Sequence, residues 1–190
     1  MQLSKRDVVD VATSLLDDYG IADLSMRRLA RELNVSAGAL YWHFANKQQL
    51  LGAVADRILQ PLTPASGNWP ERVRATCAQL RDALLSHTDG AELVSASLAA
   101  GQSEVMTAVL ARLAAAAGDA GVASEHTDLV ARTVIYYVLG FTADEQSRLQ
   151  WDAAGAEVDT TVWTEDPNAR FAFGLRLLTD GIAAHSRTGS

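Results

Sequence analysis

A single cysteine in 190 residues rules out a disulfide within the chain, and Cys77 sits in a helical pattern where a small buried apolar residue is expected rather than a reactive thiol. Histidine is almost as scarce, with four in all. His87, His126 and His185 show no HxxxH or comparable spacing, so neither a metal site nor a cofactor is expected. Nothing pairs Ser, Cys or Asp with His at a recognisable spacing, which argues against an enzyme. Long apolar runs are missing too: no stretch approaches the roughly 18 residues that a membrane span requires. Lys5, Arg6, Asp7, Asp10, Asp17 and Asp18 interrupt the region where a signal peptide would carry its apolar core. The expectation is a cytoplasmic protein with no membrane partner.

Positive charge is in short supply as well, 16 Lys and Arg against 23 Asp and Glu for a net charge of −7, which at first sight excludes DNA. The distribution reverses that impression. From Met1 to Gln60 seven bases meet seven acids, so the acidic excess lies C-terminal. Within Leu24 to Leu50 the bases Arg27, Arg28, Arg31 and Lys47 face Glu32 alone, enough to present one face to phosphates.

What is present is helical periodicity. Val8, Val9, Ala12, Leu15 and Leu16 predict a helix from about Ser4 to Tyr19, ended by Gly20. Ser25 caps a short helix that stops at Asn34, a residue tolerant of positive φ, and Ser36 caps another from Ala37 to about His43. Asn46 caps a fourth, from Lys47 up to Pro61. Three of the four prolines crowd with Ser66, Gly67 and Asn68 between Pro61 and Pro70, and the domain boundary is placed there: residues 1–60 and residues 61–190. Beyond it the spacing predicts helices over Glu71–Ser86, Ser103–Ala117 and Ser124–Leu149. A mobile acidic loop is expected over Asp152–Asp166, and Pro167 opens a last helix. The fold class is all-α, with a three-helix N-terminal head and a helical C-terminal region.

The two short helices separated by about three residues have the layout of a helix-turn-helix. Leu29, Ala30, Leu33, Val35, Leu40 and Phe44 are its inward positions. Ala37, Gly38 and Ala39 are small enough to let the second helix approach base edges, and Arg27 is a bidentate partner for guanine. Tyr41, Trp42, His43 and Lys47 gather donors for phosphate oxygens in one arc. Helix-loop-helix pieces also occur in other all-α proteins. Tyr41, Trp42 and Phe44 can equally be core aromatics, His43 a solvated surface group, and Arg28 and Arg31 solvent-face charges.

The stretch LSMRRLARELNVSAGALYWHFANKQQLL resembles the DNA-binding region of the tetracycline-repressor (TetR) family, with LYWHFANK as its most specific part. LLSHTDGAEL, LGFTADEQ and FAFGLRLL extend the likeness over nearly the whole chain. The resemblance implies an all-α homodimer with two DNA-reading heads on a roughly palindromic double-stranded operator, and a small-molecule effector in each C-terminal region. It also implies that Arg27 and Ala37 to Ala39 read bases while Ser25, Tyr41, Trp42, His43 and Lys47 hold the backbone. Ser36 joins this set from its place at the head of the second helix.

The ligand side departs from the relatives. The positions aligned with Thr76, Leu80 and Val94 are there an amide, an aromatic and a metal-ligating histidine. Asp144 does stand where they place a carboxylate near the metal's waters. A pocket walled by Leu80, Leu84, Val94, Met106, Val109, Leu113, Val134 and Tyr137, with Thr76, Thr133 and Tyr137 as polar handles, suits a mainly apolar effector. Each of these is also a natural core residue. The competing reading is a helical protein-interaction module that binds no DNA.

Overall fold

Side-chain oxygens set where the helices begin. In the computed structural model, which describes residues 3–155 and 166–188, the Ser4 hydroxyl accepts from the Asp7 amide while the Ser4 amide and hydroxyl donate to the Asp7 carboxylate. That reciprocal pairing opens α1 (Lys5–Tyr19) and holds the Asp7 carboxyl below its ordinary range. Ser25 caps α2 (Met26–Glu32), Ser36 caps α3 (Ala37–Tyr41) and Asn46 caps α4 (Lys47–Leu59), each accepting from an amide three residues on. The remaining elements are α5 (Trp69–Leu85), α6 (Gly90–Ala100), α7 (Glu104–Asp119), a 3-10 turn at Ser124–His126, α8 (Thr127–Ala153) and α9 (Pro167–Thr188). No strand occurs among the described residues.

The chain divides into two compact units, one of Met1–Pro61 with Asp82–Thr107 and one of Leu62–Arg81 with Ala108–Ser190. The first leaves the N-terminal segment at Pro61, where the breaker cluster begins, but it also takes in a later segment containing α6. That helix has no counterpart in the sequence expectation. Its residues, GAELVSASLAA, carry apolar groups on most sides, so no stripe marks it. Its first turn also lacks a side-chain cap, because Asp89 stands at φ 52° without a capping hydrogen bond.

The Asp89 carboxylate accepts instead from the Ile21 amide at 2.9 Å. Gly20, at φ 77°, leaves room for it, since a Cβ there would lie 2.6 Å from that carboxylate. Asp17 adds a second tie, receiving the Thr88 amide at 3.2 Å and lying 3.0 Å from His87 Nδ1. At the other end of α6, Asp56 of α4 accepts from the Ser103 hydroxyl at 2.6 Å and the Val105 amide at 3.0 Å. One turn earlier, Gly52 lets α4 lie against the chain at Gln102, whose carbonyl oxygen a Cβ would overlap.

In the second unit α8 and α9 run antiparallel, with His126 beside His185 and Tyr137 beside Phe171. Thr76, Cys77, Leu80, Val109, Leu113, Val134, Ile135 and Val138 are buried there, and burial pushes the Cys77 thiol up to about 12. The expected loop over Asp152–Asp166 needs correction at its start. Asp152 and Ala153 continue α8, because nothing breaks the helix before Gly155, which supplies φ 71°. Residues 156–165 lie outside the described residues.

Candidate nucleic-acid interface

The helix-turn-helix is built on α2 and α3. The Leu33 amide bonds back to Leu29 at 3.0 Å, Asn34 takes φ 52° as its residue type allows, and the Val35 amide reaches Ala30 at 2.9 Å. These bonds turn the chain between the two helices. Leu29, Ala30, Leu40 and Phe44 are buried beneath it, while Leu33 and Val35 are half-buried.

Burial separates the two readings of the aromatics. Phe44 belongs to the core, but Trp42 is 90% exposed and Tyr41 52% exposed. Neither Tyr41 nor Trp42 is therefore a core aromatic, and both rings are open to a partner surface. Ser25, Arg27, Ser36, Ala37, Gly38, Tyr41, Trp42 and Lys47 are all exposed, and Ala39 and His43 are half-buried. The first unit therefore holds every expected DNA contact on residues that water can reach.

Gly38 carries a further signal. A Cβ at this position would meet only the Ser36 hydroxyl, at an ordinary 3.7 Å. Nothing inside the chain demands glycine there, although glycine destabilises a helix by about 0.5–1 kcal/mol relative to alanine.

Arg28 is more than a solvent-face charge. Its guanidinium stacks 3.9 Å from the Tyr19 ring centroid and bonds Asp23 at 2.6 Å. This ties the start of α2 to the end of α1 and leaves Arg27 and Arg31 as the exposed cations of α2.

The expected ligand residues are distributed differently. Leu84, Val94 and Met106 belong to the first unit, and Thr76, Leu80, Val109, Leu113, Thr133, Val134 and Tyr137 to the second. Thr133 is exposed, its hydroxyl donating to the Leu129 carbonyl at 2.8 Å. With Val134 it lines a cleft of about 460 Å³ between α8 and α9, away from the buried Thr76 and Leu80. Thr133 lies about 100° around α8 from Val134, so it is exposed where Val134 is buried, although both border this cleft. Asp144 is exposed.

Tyr137 is the one expected handle tied into a polar cluster, and the sequence reading missed its neighbours. Its hydroxyl donates to the Phe171 carbonyl at 2.9 Å, and its ring stacks on Phe171. Burial pushes its phenol above the ordinary value. Close by, buried Arg81 forks onto Glu145 at 2.9 and 2.7 Å, bonds the Asn168 side chain at 2.7 Å and lies 5.0 Å from the Phe171 centroid. Arg81, Glu145 and Asn168 lie on three helices far apart in the chain, which is why no local pattern announced them.

Comparison with known proteins places this architecture. Residues 8–54 match the model for bacterial regulatory proteins of the tetR family, and residues 60–162 match the tetracyclin repressor-like C-terminal domain. The chain belongs to the tetR family. It is a ligand-responsive, DNA-binding transcriptional regulator. It is 33% identical to the class E tetracycline repressor of Escherichia coli over 96% of this chain and 92% of that one. The class C repressor of the same organism is 30% identical over 95% and 91%. Among solved structures, Mycobacterium smegmatis BioQ is 62% identical, with a TM-score of 0.90 over 97% of this chain and 99% of that one. BioQ bound to its natural double-stranded DNA operator is 60% identical, with a TM-score of 0.85 over 97% and 100%.

Proposed function

We propose that this regulator is a homodimeric repressor that grips a roughly palindromic double-stranded operator and is released by a small, mainly apolar effector. Residues 1–60 form the reading head. Arg27 and the Ala37, Gly38, Ala39 stretch face bases, while Ser25, Ser36, Tyr41, Trp42, His43 and Lys47 hold the backbone. The observation that carries this reading is the fully exposed Trp42 beside an unconstrained Gly38, in a chain 60% identical to a protein solved on its operator. Its workplace is the cytoplasm, and no reaction is assigned to it.

Dimerisation follows from the second unit. Leu129 and Tyr136 on α8, and Phe173 and Leu177 on α9, are each more than half exposed. Two copies packing these faces into a four-helix interface would bury them. A twofold axis would also set two recognition helices about 34–36 Å apart, on successive major grooves.

The effector is assigned to the interior of the second unit, around Thr76, Leu80, Val109, Leu113, Val134 and Tyr137. Because Thr76, Leu80 and Val94 stand where the relatives carry an amide, an aromatic and a metal-binding histidine, magnesium-tetracycline is not the inducer. The test is fluorescence anisotropy on the DNA upstream of the regulator's own gene, against a scrambled duplex. Tight, sequence-dependent binding that survives magnesium-tetracycline is expected. Equal affinity for both duplexes would sink the operator reading, and release by the drug that a chelator abolishes would sink the effector reading.

A further inference from the structure

Lys5 stands outside the charged stretch from Leu24 to Leu50, yet packing within the first unit brings it there. Helix α1 lies against α4, and the Lys5 ammonium sits 5.7 Å from the centroid of the Phe44 ring. Phe44 follows His43 directly and precedes Lys47 by three residues, so this cation rests beside the arc of expected backbone contacts. The acids around it are occupied. Asp7 accepts from the Ser4 amide and hydroxyl, and Asp10 lies between Arg6 at 3.7 Å and Arg57 at 3.5 Å. The Asp7 carboxyl is held low chiefly by Ser4, with the charges of Arg6 and His43 adding to it, which again puts His43 near the first turn of α1. Lys5 itself is exposed and pairs with no carboxylate among the described residues.

We infer that Lys5 is a phosphate contact of each head, so that the DNA face reaches beyond α2, α3 and the start of α4 onto α1. The inference rests on the reading of Tyr41 to Lys47 as backbone contacts. An ammonium offers three donors and no acceptor, and a surface lysine ordinarily loses rotamer freedom when it takes up a phosphate. The contact with Phe44, whose ring belongs to the core at 5% exposure, limits where the Lys5 stem can go before DNA arrives and so lowers that cost. A lysine is a compact point charge without the planar fork that matches a base edge, so its contact is with the DNA backbone and is blind to sequence. In a segment whose residues 1–60 carry no net charge, a cation that faces the duplex while the nearby acids are paired elsewhere makes a local excess that the overall composition hides.

The experiment is anisotropy of the full-length regulator on a random-sequence duplex and on the DNA upstream of its own gene, from about 0.05 to 0.2 M potassium chloride. Lys5→Gln should flatten the plot of log affinity against log salt by about 0.9 unit per head on both duplexes, equivalent to about eightfold weaker binding per head at about 0.1 M salt. Lys5→Arg should keep the unaltered slope. Arg74→Gln, which removes an exposed cation of the second unit, should leave the slope untouched. Ethylation interference on the upstream DNA should lose one phosphate per half-site in Lys5→Gln. An unchanged slope in Lys5→Gln beside a flattened one in Lys47→Ala would overturn the Lys5 contact alone, whereas unchanged slopes in both would remove the backbone reading of the arc as well. Equal flattening by Arg74→Gln would reduce the effect to net charge and also overturn the contact.

Discussion

The two units present their chemistry in opposite ways. In the first, the expected contact residues fall within 23 consecutive positions, Ser25 to Lys47, and reach the surface. In the second, the expected effector residues are drawn from several helices and most are buried. A ligand as large as a DNA duplex must be met on the outside, by side chains a short helix can aim together. A small apolar molecule is met inside, where its contacts are indistinguishable from ordinary core until the helices are assembled.

The sharpest way to break this contrast is to remove what makes two heads act as one. Leu177, 58% exposed on α9, belongs to the proposed pairing face. Leu177→Glu should leave each chain folded but separate the copies, and operator affinity should fall about 10²–10⁴-fold with the loss of two-headed attachment. Sedimentation and anisotropy on the same sample are the check. A dissociated variant that keeps full operator affinity would show that one head suffices.

Within the second unit the largest stability effect is expected at Arg81. Arg81→Leu would strand the Glu145 carboxylate beside the aromatic cluster, costing about 3 kcal/mol, whereas Arg81→Leu with Glu145→Leu should recover most of the loss. Urea unfolding of both variants decides it. A double variant as unstable as the single one would mean that the aromatic stacking and the Asn168 bond, not charge pairing, make Arg81 matter.

The first unit is sharpened by a pair of substitutions that ought to differ in kind. Arg27→Ala should cost about 1–3 kcal/mol of discrimination between operator and random DNA. Lys47→Ala should weaken both alike and flatten the salt dependence by about one unit. If Arg27→Ala weakens both duplexes equally, the arginine holds phosphate and reads no base.

Much of the fold was legible because local chemistry determines it. Ser4, Ser25, Ser36 and Asn46 start the helices they were expected to start, and Asn34 takes the left-handed turn its side chain tolerates. The places where legibility failed share a cause. Helix α6 announces itself neither by a stripe nor by a cap, because Asp89 spends its carboxylate on Ile21, a residue 68 positions away. The Arg81, Glu145 and Asn168 cluster and the His126, His185 pair likewise exist only after long-range packing. Thr133 is exposed while its neighbour Val134 is buried, a difference in helical phase that the apolar spacing around it does not signal. The expected DNA-contact residues differ in being neighbours in the chain, so local pattern groups them, and burial separates exposed Trp42 and Tyr41 from core Phe44.

The smallest expected effect bears most directly on why the DNA face has the composition it does. Gly38 occupies the second position of α3 with nothing but the Ser36 hydroxyl within 4 Å of an added Cβ. Alanine is the better helix former, so Gly38→Ala should raise stability by about 0.5 kcal/mol, at the low end of the glycine penalty because α3 is short. If the bare backbone is there to approach base edges, the same methyl should weaken operator binding severalfold while scarcely touching random duplex, which is held through phosphates. Stability and function would then move in opposite directions at one atom, as expected where a residue serves a partner rather than the fold. Chemical denaturation measures the first change and anisotropy on the two duplexes the second. A variant that is more stable and binds its operator unchanged would remove Gly38 from the interface and leave Arg27 as the principal base reader.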